Sequence, residues 1–407
     1  MSERGSENLK EDTDGDLEKN EGGSLKESDG ESTDDDRRLK ENESLPKADE
    51  IADRKYEDGR TKERAKNGGK NCRRLPACVA ALLLFLVLFA FFTRLLEPKY
   101  ATELEEGSMI SEYYAETTGH DVIILGDSEV YSNFSPLEMY REAGITAWVR
   151  GSPHQLIWQS YYILEETFTY ETPQAVVLNV RAMIYPEPIS EEYNRLTIDY
   201  MRWSPSKVGI ILASMTSEES FLSYVFPLLR YHSRYSELTE EDIAYFFTDN
   251  SSTWNGYQMN KGVQAMETLP TERLLADYSF GDVCVEYLDK IRELCEEHGT
   301  ELILVKAPGV YPYWYDGYEE QIVEYADTYG LSYYNFLAAA EEIGIDYSTD
   351  TWDAGLHMNL AGATKLSDYF ARILAEEHGI PDRSGEEEIA GMYEAKLELY
   401  DRAAAEE

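Results

Sequence analysis

Cysteine, histidine and positive charge are all scarce in this chain. Only 4 of its 407 residues are cysteine, too few for a disulfide-built scaffold. Cys72 and Cys78 stand at the edge of a long apolar run. Cys284 and Cys295 share one expected helix, "GDVCVEYLDKIRELCEEHG", about three turns and roughly 16 Å apart, too far to bond. They read as buried free thiols. Lys and Arg number 37 against 79 Asp and Glu, a formal charge of −42. That balance argues against a nucleic-acid partner and sets anionic surfaces against the chain. Residues 1–74 hold 22 acids and 17 bases, a net of −5, which leaves −37 for the rest. The acidity therefore belongs to the part expected to fold.

Residues 1–72 have almost no aromatic or branched apolar residues, and are expected to be a disordered acidic cytoplasmic tail, too polar to offset the entropy of ordering. The stretch "LPACVAALLLFLVLFAFFT" (75–93) then carries no charge, and about twenty such residues span a bilayer core. Lys62, Arg64, Lys66, Lys70, Arg73 and Arg74 precede it. Basic flanks stay inside, which predicts a single-pass signal anchor over 75–96 with the C-terminal domain extracytoplasmic, at the cell membrane. A cleaved signal peptide fits less well, because the run is long and no small-x-small cleavage site follows. Residues 97–118 read as a linker.

Beyond it, short apolar runs alternate with helical patterns. "DVIILG" (121–126), "ITAWVR" (145–150), "AVVLNV" (175–180), "ELILVKAP" (301–308) and "LSYYNFL" (331–337) read as strands. "SPLEMYREAG", with Ser135 as N-cap and Pro136 at the first position, heads the helices between them. The pattern predicts an α/β domain over 119–382, a parallel sheet covered on both faces. If the strand order is 2-1-3-4-5, ligands belong at the carboxyl edge, between strands one and three. Residues of about 185–265, crowded with Tyr, Trp and Arg, form an insertion placed to roof that edge. Its aromatics suit sugar rings and suit packing equally well. The acid-rich end, 383–407, is expected to be a surface or interaction helix.

Strand one runs into "GDSEV", which puts Ser128 at the carboxyl edge. A serine becomes nucleophilic only when a base takes its proton and a third group orients that base. Six histidines allow elimination. His298 and His378 each end a helix in "EEHG" and suit its dipole. His120 precedes strand one, at the wrong end. His154 could border the pocket, and His232 lies in the insertion. His357, in "DTWDAGLHMNLAGATKL" before the last helix, is the expected base, with Asp353 or Asp350 as orienter. Arg230, His232 and Arg234 could hold substrate hydroxyls or a carboxylate, or form a salt-bridged surface. A metal site of Asp350, Asp353 and His357 lacks further ligands nearby, and no cofactor is expected.

"GDS" after a first strand, with a late Asp–His pair before the last helix, resembles the SGNH (GDSL) hydrolase superfamily over roughly residues 119–380. The resemblance implies a flavodoxin-like three-layer sheet and acyl-ester hydrolysis or transfer by Ser–His–Asp. It also implies an oxyanion hole from the Ser128 amide, Gly151 and, at the end of strand three, Asn179. The family usually shows Gly-x-Asn-Asp there, where this chain has "VVLNVRA", and Asp-x-x-His where three residues separate Asp353 from His357. One anchor followed by an outward SGNH-like domain is similar to accessory proteins of cell-envelope acylation, including D-alanylation of teichoic acids and O-acetylation of exopolysaccharides. The expected activity is thus that of a serine esterase or O-acyltransferase acting on acyl esters of cell-surface glycans. A membrane-bound acyltransferase is a possible partner, and the charge of the outer domain favours a neutral or weakly charged glycan. The alternative is a catalytically inactive envelope protein that keeps the fold and binds glycan or such a partner.

Overall fold

The computed structural model describes residues 57–98, 106–247 and 254–406. The chain divides into two units, Met1–Ala77 and Cys78–Glu407. Of the expected disordered tail, residues 1–56 lie outside the described residues. Residues 57–72 are helical, part of a helix Glu57–Leu96, although Gly59, Gly68 and Gly69 are weak helix formers. Within that helix Leu75–Leu96, 22 residues of mean hydropathy 2.8, is, among the described residues, long and apolar enough to cross a membrane.

The second unit is built on a five-stranded, all-parallel sheet of order β2-β1-β3-β4-β5. Its strands are β1 (Val122–Gly126), β2 (Ala147–Gly151), β3 (Ala175–Asn179), β4 (Glu301–Lys306) and β5 (Ser332–Asn335). Four of them lie within the runs expected from sequence, and β2 extends one residue further, to Gly151. Both faces of the central strands are buried, which is why each reads as a near-continuous apolar run. Ile123, Leu125, Val176, Leu178, Leu302 and Leu304 face one core. Val122, Ile124, Ala175, Val177, Ile303 and Val305 face the other. The helices Ile157–Thr167 and Asp282–His298 cover the first face, while Pro136–Ala143 and Leu360–Glu376 cover the second. Ser135 caps the Pro136–Ala143 helix and Pro136 opens it. Cys284 and Cys295 are buried free thiols in the first core.

The structure adds detail to three expectations. The linker is not irregular throughout: Glu106–Glu112 is a helix, and Met109, Ile110 and Tyr113 are buried on the domain. The guanidinium of Arg150 lies 4.0 Å from the Tyr113 ring and 2.9 Å from Glu166, so a buried cation in β2 holds this segment. The C-terminal helix, Glu387–Ala405, is more than a surface element. Tyr393 stacks on Tyr140 with ring centroids 4.0 Å apart, and the Tyr400 hydroxyl lies 3.2 Å from that of Ser135. The insertion, finally, supplies short helices that do two separate jobs. Pro205–Ser214 packs on Ile157–Thr167, covering the sheet face. Others gather at the end of the apolar helix, while Glu191–Ile198 reaches the carboxyl edge through Tyr193. Residues 258–264 also run along that edge, the Gln258 amide donating to the Tyr131 carbonyl and the Ala354 amide to the Gln264 carbonyl.

On the Leu360–Glu376 helix, burial and the nearby Glu138 and Glu142 push the Asp368 carboxyl up from 3.8 to about 6, despite Arg372 and Arg141. A carboxyl raised by folding favours the protonated form, so ionised Asp368 destabilises the fold above pH 6, and this cost fades as pH falls toward 3.8. Asp368→Asn is expected to raise the melting temperature at pH 7 and to bring no gain near pH 4, as read by thermal denaturation at both pH values.

Candidate active site

The turn out of β1 depends on two glycines. Gly126 and Gly151 face each other in register across β1 and β2. A Cβ on Gly126 would lie 2.8 Å from Val130 Cγ1, and one on Gly151 would lie 2.7 Å from Val130 Cγ2 and 3.1 Å from the Gly126 carbonyl oxygen. Their absence lets Val130 tuck between the strand ends, so a helix starts at once. That helix, Ser128–Asn133, is capped by Asp127, whose side chain accepts from the Glu129 amide at 3.1 Å. Ser128, its first residue, is half-buried at the carboxyl edge.

Beneath Ser128 lies a buried cluster of charge. Glu129 has no solvent exposure. Its carboxylate accepts from Asn179 Nδ2 at 2.9 Å and from Lys306 Nζ at 3.1 and 3.2 Å. Lys306 also donates to the carbonyls of Ala307 and Gly309. Arg181 Nη1 stands 3.1 Å from Asp127 Oδ2 and 3.9 Å from Glu129 Oε1. The pairs are formally balanced, two acids against two bases, as groups removed from water require. Burial pulls the Lys306 amine below its ordinary range, with Glu129 opposing that shift. Burial acts on Arg181 in the same sense, but Asp127 and Glu129 outweigh it and hold its guanidinium above the usual range. Arg181 Nε and Nη1 nonetheless lack an aligned hydrogen-bond acceptor among the described residues.

The loop before the last helix brings the next two groups. Asp353 Oδ1 accepts from the His357 amide at 2.7 Å, and Asp353 Oδ2 lies 2.6 Å from His357 Nδ1. Ala354 and Gly355 both have positive φ, 63° and 99°, and this tight turn lets Asp353 reach back across three intervening residues. The Trp352 ring lies parallel to the imidazole, centroids 6.1 Å apart. The loop is fastened to the Ser128 helix itself, for the Met358 amide donates to Asn133 Oδ1 at 2.7 Å. His357 Nε2 is buried and, among the described residues, has no hydrogen-bond partner, Ser128 Oγ included. Such contacts are often open before substrate arrives.

Asp350 does not meet His357. It pairs with Lys365 at 2.6 Å and accepts from the Asp346 amide at 2.7 Å, which makes it a brace for the loop. Asn179 is likewise committed: its Nδ2 donates to Glu129 and its Oδ1 accepts from the Ala307 amide at 3.2 Å. It braces β3 against its neighbours instead of standing open at the edge. His154, at φ 51°, sits with its ring 4.1 Å from that of Tyr193. Burial lowers its pKa, and Asp127, Arg181 and His357 all act on it electrostatically, which places it beside the same cluster. Arg230 pairs with Glu191, and Arg234 with Asp242 and the Leu96 and Glu97 carbonyls. His232 is exposed, near the Leu229 carbonyl. These three are gathered at the end of the apolar helix, and no described contact joins them to Ser128. His120 pairs with Glu171, and His378 with Glu301, as structural histidines do. Among the described residues no group of three His, Cys, Asp or Glu stands close enough to hold a metal ion.

Glu129, Arg181, Lys306 and Asn133 were not anticipated. A visible sign existed for two of them: Lys306 and Arg181 are cations directly at the ends of apolar strands, where a buried charge needs a partner. No protein-family model, no curated protein and no solved structure matches this chain.

Removing one member of a buried ion pair strands the other. Lys306→Met is therefore expected to cost about 3–5 kcal/mol of stability, and Lys306→Met with Glu129→Gln to recover most of it. Urea unfolding of the two variants beside the unaltered protein measures both effects.

Proposed function

We propose that the chain is a membrane-anchored serine esterase or O-acyltransferase of SGNH type, acting on acyl esters of cell-surface glycans from the outer face of the membrane. The observation that carries the proposal is the Asp353–His357 contact, on a loop fastened by Asn133 to the helix that Ser128 begins. The strand order β2-β1-β3-β4-β5 is that of flavodoxin-like folds and supports the same assignment. Lys and Arg before the apolar helix, and the acidic domain after it, support an inside N-terminus.

In this mechanism Ser128 Oγ attacks the acyl carbonyl carbon while His357 Nε2 takes the hydroxyl proton. Asp353 holds Nδ1–H and stabilises the imidazolium. The tetrahedral oxyanion is held by the Ser128 and Gly151 amides, and Arg181, whose guanidinium is paired with Asp127 in the cluster, supplies the positive charge that the committed Asn179 does not. Collapse expels the alcohol, which takes the proton back from His357, and leaves an acyl-serine. Water or a glycan hydroxyl then gives its proton to His357 and attacks the acyl carbon, and Ser128 leaves as the hydroxyl. The acceptor determines whether the outcome is hydrolysis or transfer.

One observation favours a second reading, a glycan-binding or acyltransferase-binding protein without catalysis. Ser128 and His357 are not hydrogen-bonded, and the family's third oxyanion donor is spent on Glu129.

Turnover of p-nitrophenyl acetate by the full chain in detergent separates the two. The catalytic reading expects a burst of p-nitrophenol, lost with Ser128→Ala. Asp353→Asn is expected to lower kcat by about 10²–10⁴-fold, and Arg181→Gln by about 10²–10³-fold with little change in KM. Activity indifferent to Ser128→Ala in a folded protein would favour the binding protein.

A further inference from the structure

Parts of the insertion pack on the apolar helix well before its end. The Phe226 ring meets Phe89 edge-on at 6.0 Å, and Phe246 stacks on Phe91 at 5.2 Å. Arg94 lies 4.5 Å from the Tyr245 ring centre. Arg234 donates to the Leu96 and Glu97 carbonyls at 3.3 and 3.1 Å, and the Tyr200 hydroxyl to that of Pro98. A cleft of about 340 Å³ lies between the helix and the insertion, lined by Phe89, Ala90 and Thr93 on one side and Trp203, Tyr224 and Pro227 on the other.

These contacts fix a depth. At 1.5 Å per residue the 22 apolar residues measure about 33 Å, close to the hydrocarbon thickness of about 30 Å. Phe89 stands about 10 Å before the end at Leu96, and Phe91 about 7 Å. A helix lying in the interface buries its apolar face by about 5–10 Å, the same level. The insertion carries the side chains that this level calls for. Leu222, Phe226 and Ile243 are exposed, as are Leu229 at 58% and Phe247 at 84%. They stand on or beside three short helices, Phe221–Val225, Leu228–Tyr231 and Glu240–Ala244. Trp203, 54% exposed, and Arg230, half-exposed although paired with Glu191, add an aromatic and a basic group of the kind that favours headgroups.

We infer that residues 221–247 form a shoulder seated in the outer leaflet of the bilayer that Leu75–Leu96 crosses, with Leu222, Phe226, Leu229, Ile243 and Phe247 in contact with lipid. The inference rests on the reading of Leu75–Leu96 as a membrane span. The occupant is lipid, because contact with Phe89 and Phe91 sets these side chains below the water boundary, where acyl chains are the default surroundings. The domain is then docked on the membrane by a second, non-spanning element and does not swing on its anchor alone.

The test uses the full chain with Cys72→Ser and Cys78→Ser, leaving the buried Cys284 and Cys295 in place. Single cysteines Leu229→Cys, Phe247→Cys, Leu84→Cys in the span and Glu341→Cys on the opposite face of the sheet are labelled with a nitrobenzoxadiazole maleimide. The labelled proteins are reconstituted into phosphatidylcholine vesicles with or without lipid carrying a nitroxide at acyl carbon 5 or 12. The expected result is at least twofold stronger quenching at 229 and 247 than at 341, with 84 also quenched. Quenching at 84 with none at 229 and 247 overturns the shoulder and leaves the span standing. Absence of quenching at 84 removes the span and the inference together.

Discussion

A carboxylate with no access to water, Glu129, is the constraint around which the carboxyl edge is organised. It cannot remain charged without partners, and it takes them from three places in the chain: Asn179 at the end of β3, Lys306 at the end of β4, and Arg181 just beyond β3. Asp127 completes the set through Arg181. The strand ends are thereby held together at one point, and the backbone between Asp127 and Glu129 is Ser128. The residue proposed as nucleophile has no freedom to drift, because both its neighbours are anchored in the cluster.

The histidine loop reaches the same point by an independent route. Asp350 ties its root through Lys365, Asn359 caps the last helix, and Asn133 takes the Met358 amide. Asp353 then orients His357 twice, at the backbone amide and at Nδ1. Two neighbouring aspartates thus perform different tasks, one structural and one directed at the imidazole. The cluster and the loop meet at the Ser128 helix, the first gripping its start and the second its end. A domain carrying most of a charge of −42 still keeps two buried cations, Arg181 and Lys306, beneath Ser128.

The sheet was legible in the sequence for a physical reason: parallel strands buried on both faces appear as short apolar runs between helical patterns. The position of Ser128 and the loop of His357 were legible because strand ends and helix starts have local signatures. The choice between Asp350 and Asp353 was not, since it depends on a turn through Ala354 and Gly355 that spacing does not encode. Asn179 looked open at a strand end, and only the fold shows its amide turned to Glu129. Parts of the insertion do border the site, through Tyr193 and residues 258–264, yet its basic residues Arg230 and Arg234 sit toward the end of the apolar helix. Aromatic and basic residues serve packing, sugars and membranes alike, so composition could not separate these uses. The burial of Tyr393 and Tyr400 was hidden in the same way by the acids surrounding them.

The most direct test of the account is covalent labelling of the full chain by a fluorophosphonate, which reacts with activated serines, followed by mass-spectrometric location of the adduct. The account predicts a single adduct on Ser128 that His357→Ala abolishes while circular dichroism stays unchanged. A folded protein that never labels, or one that labels at another serine, would contradict it.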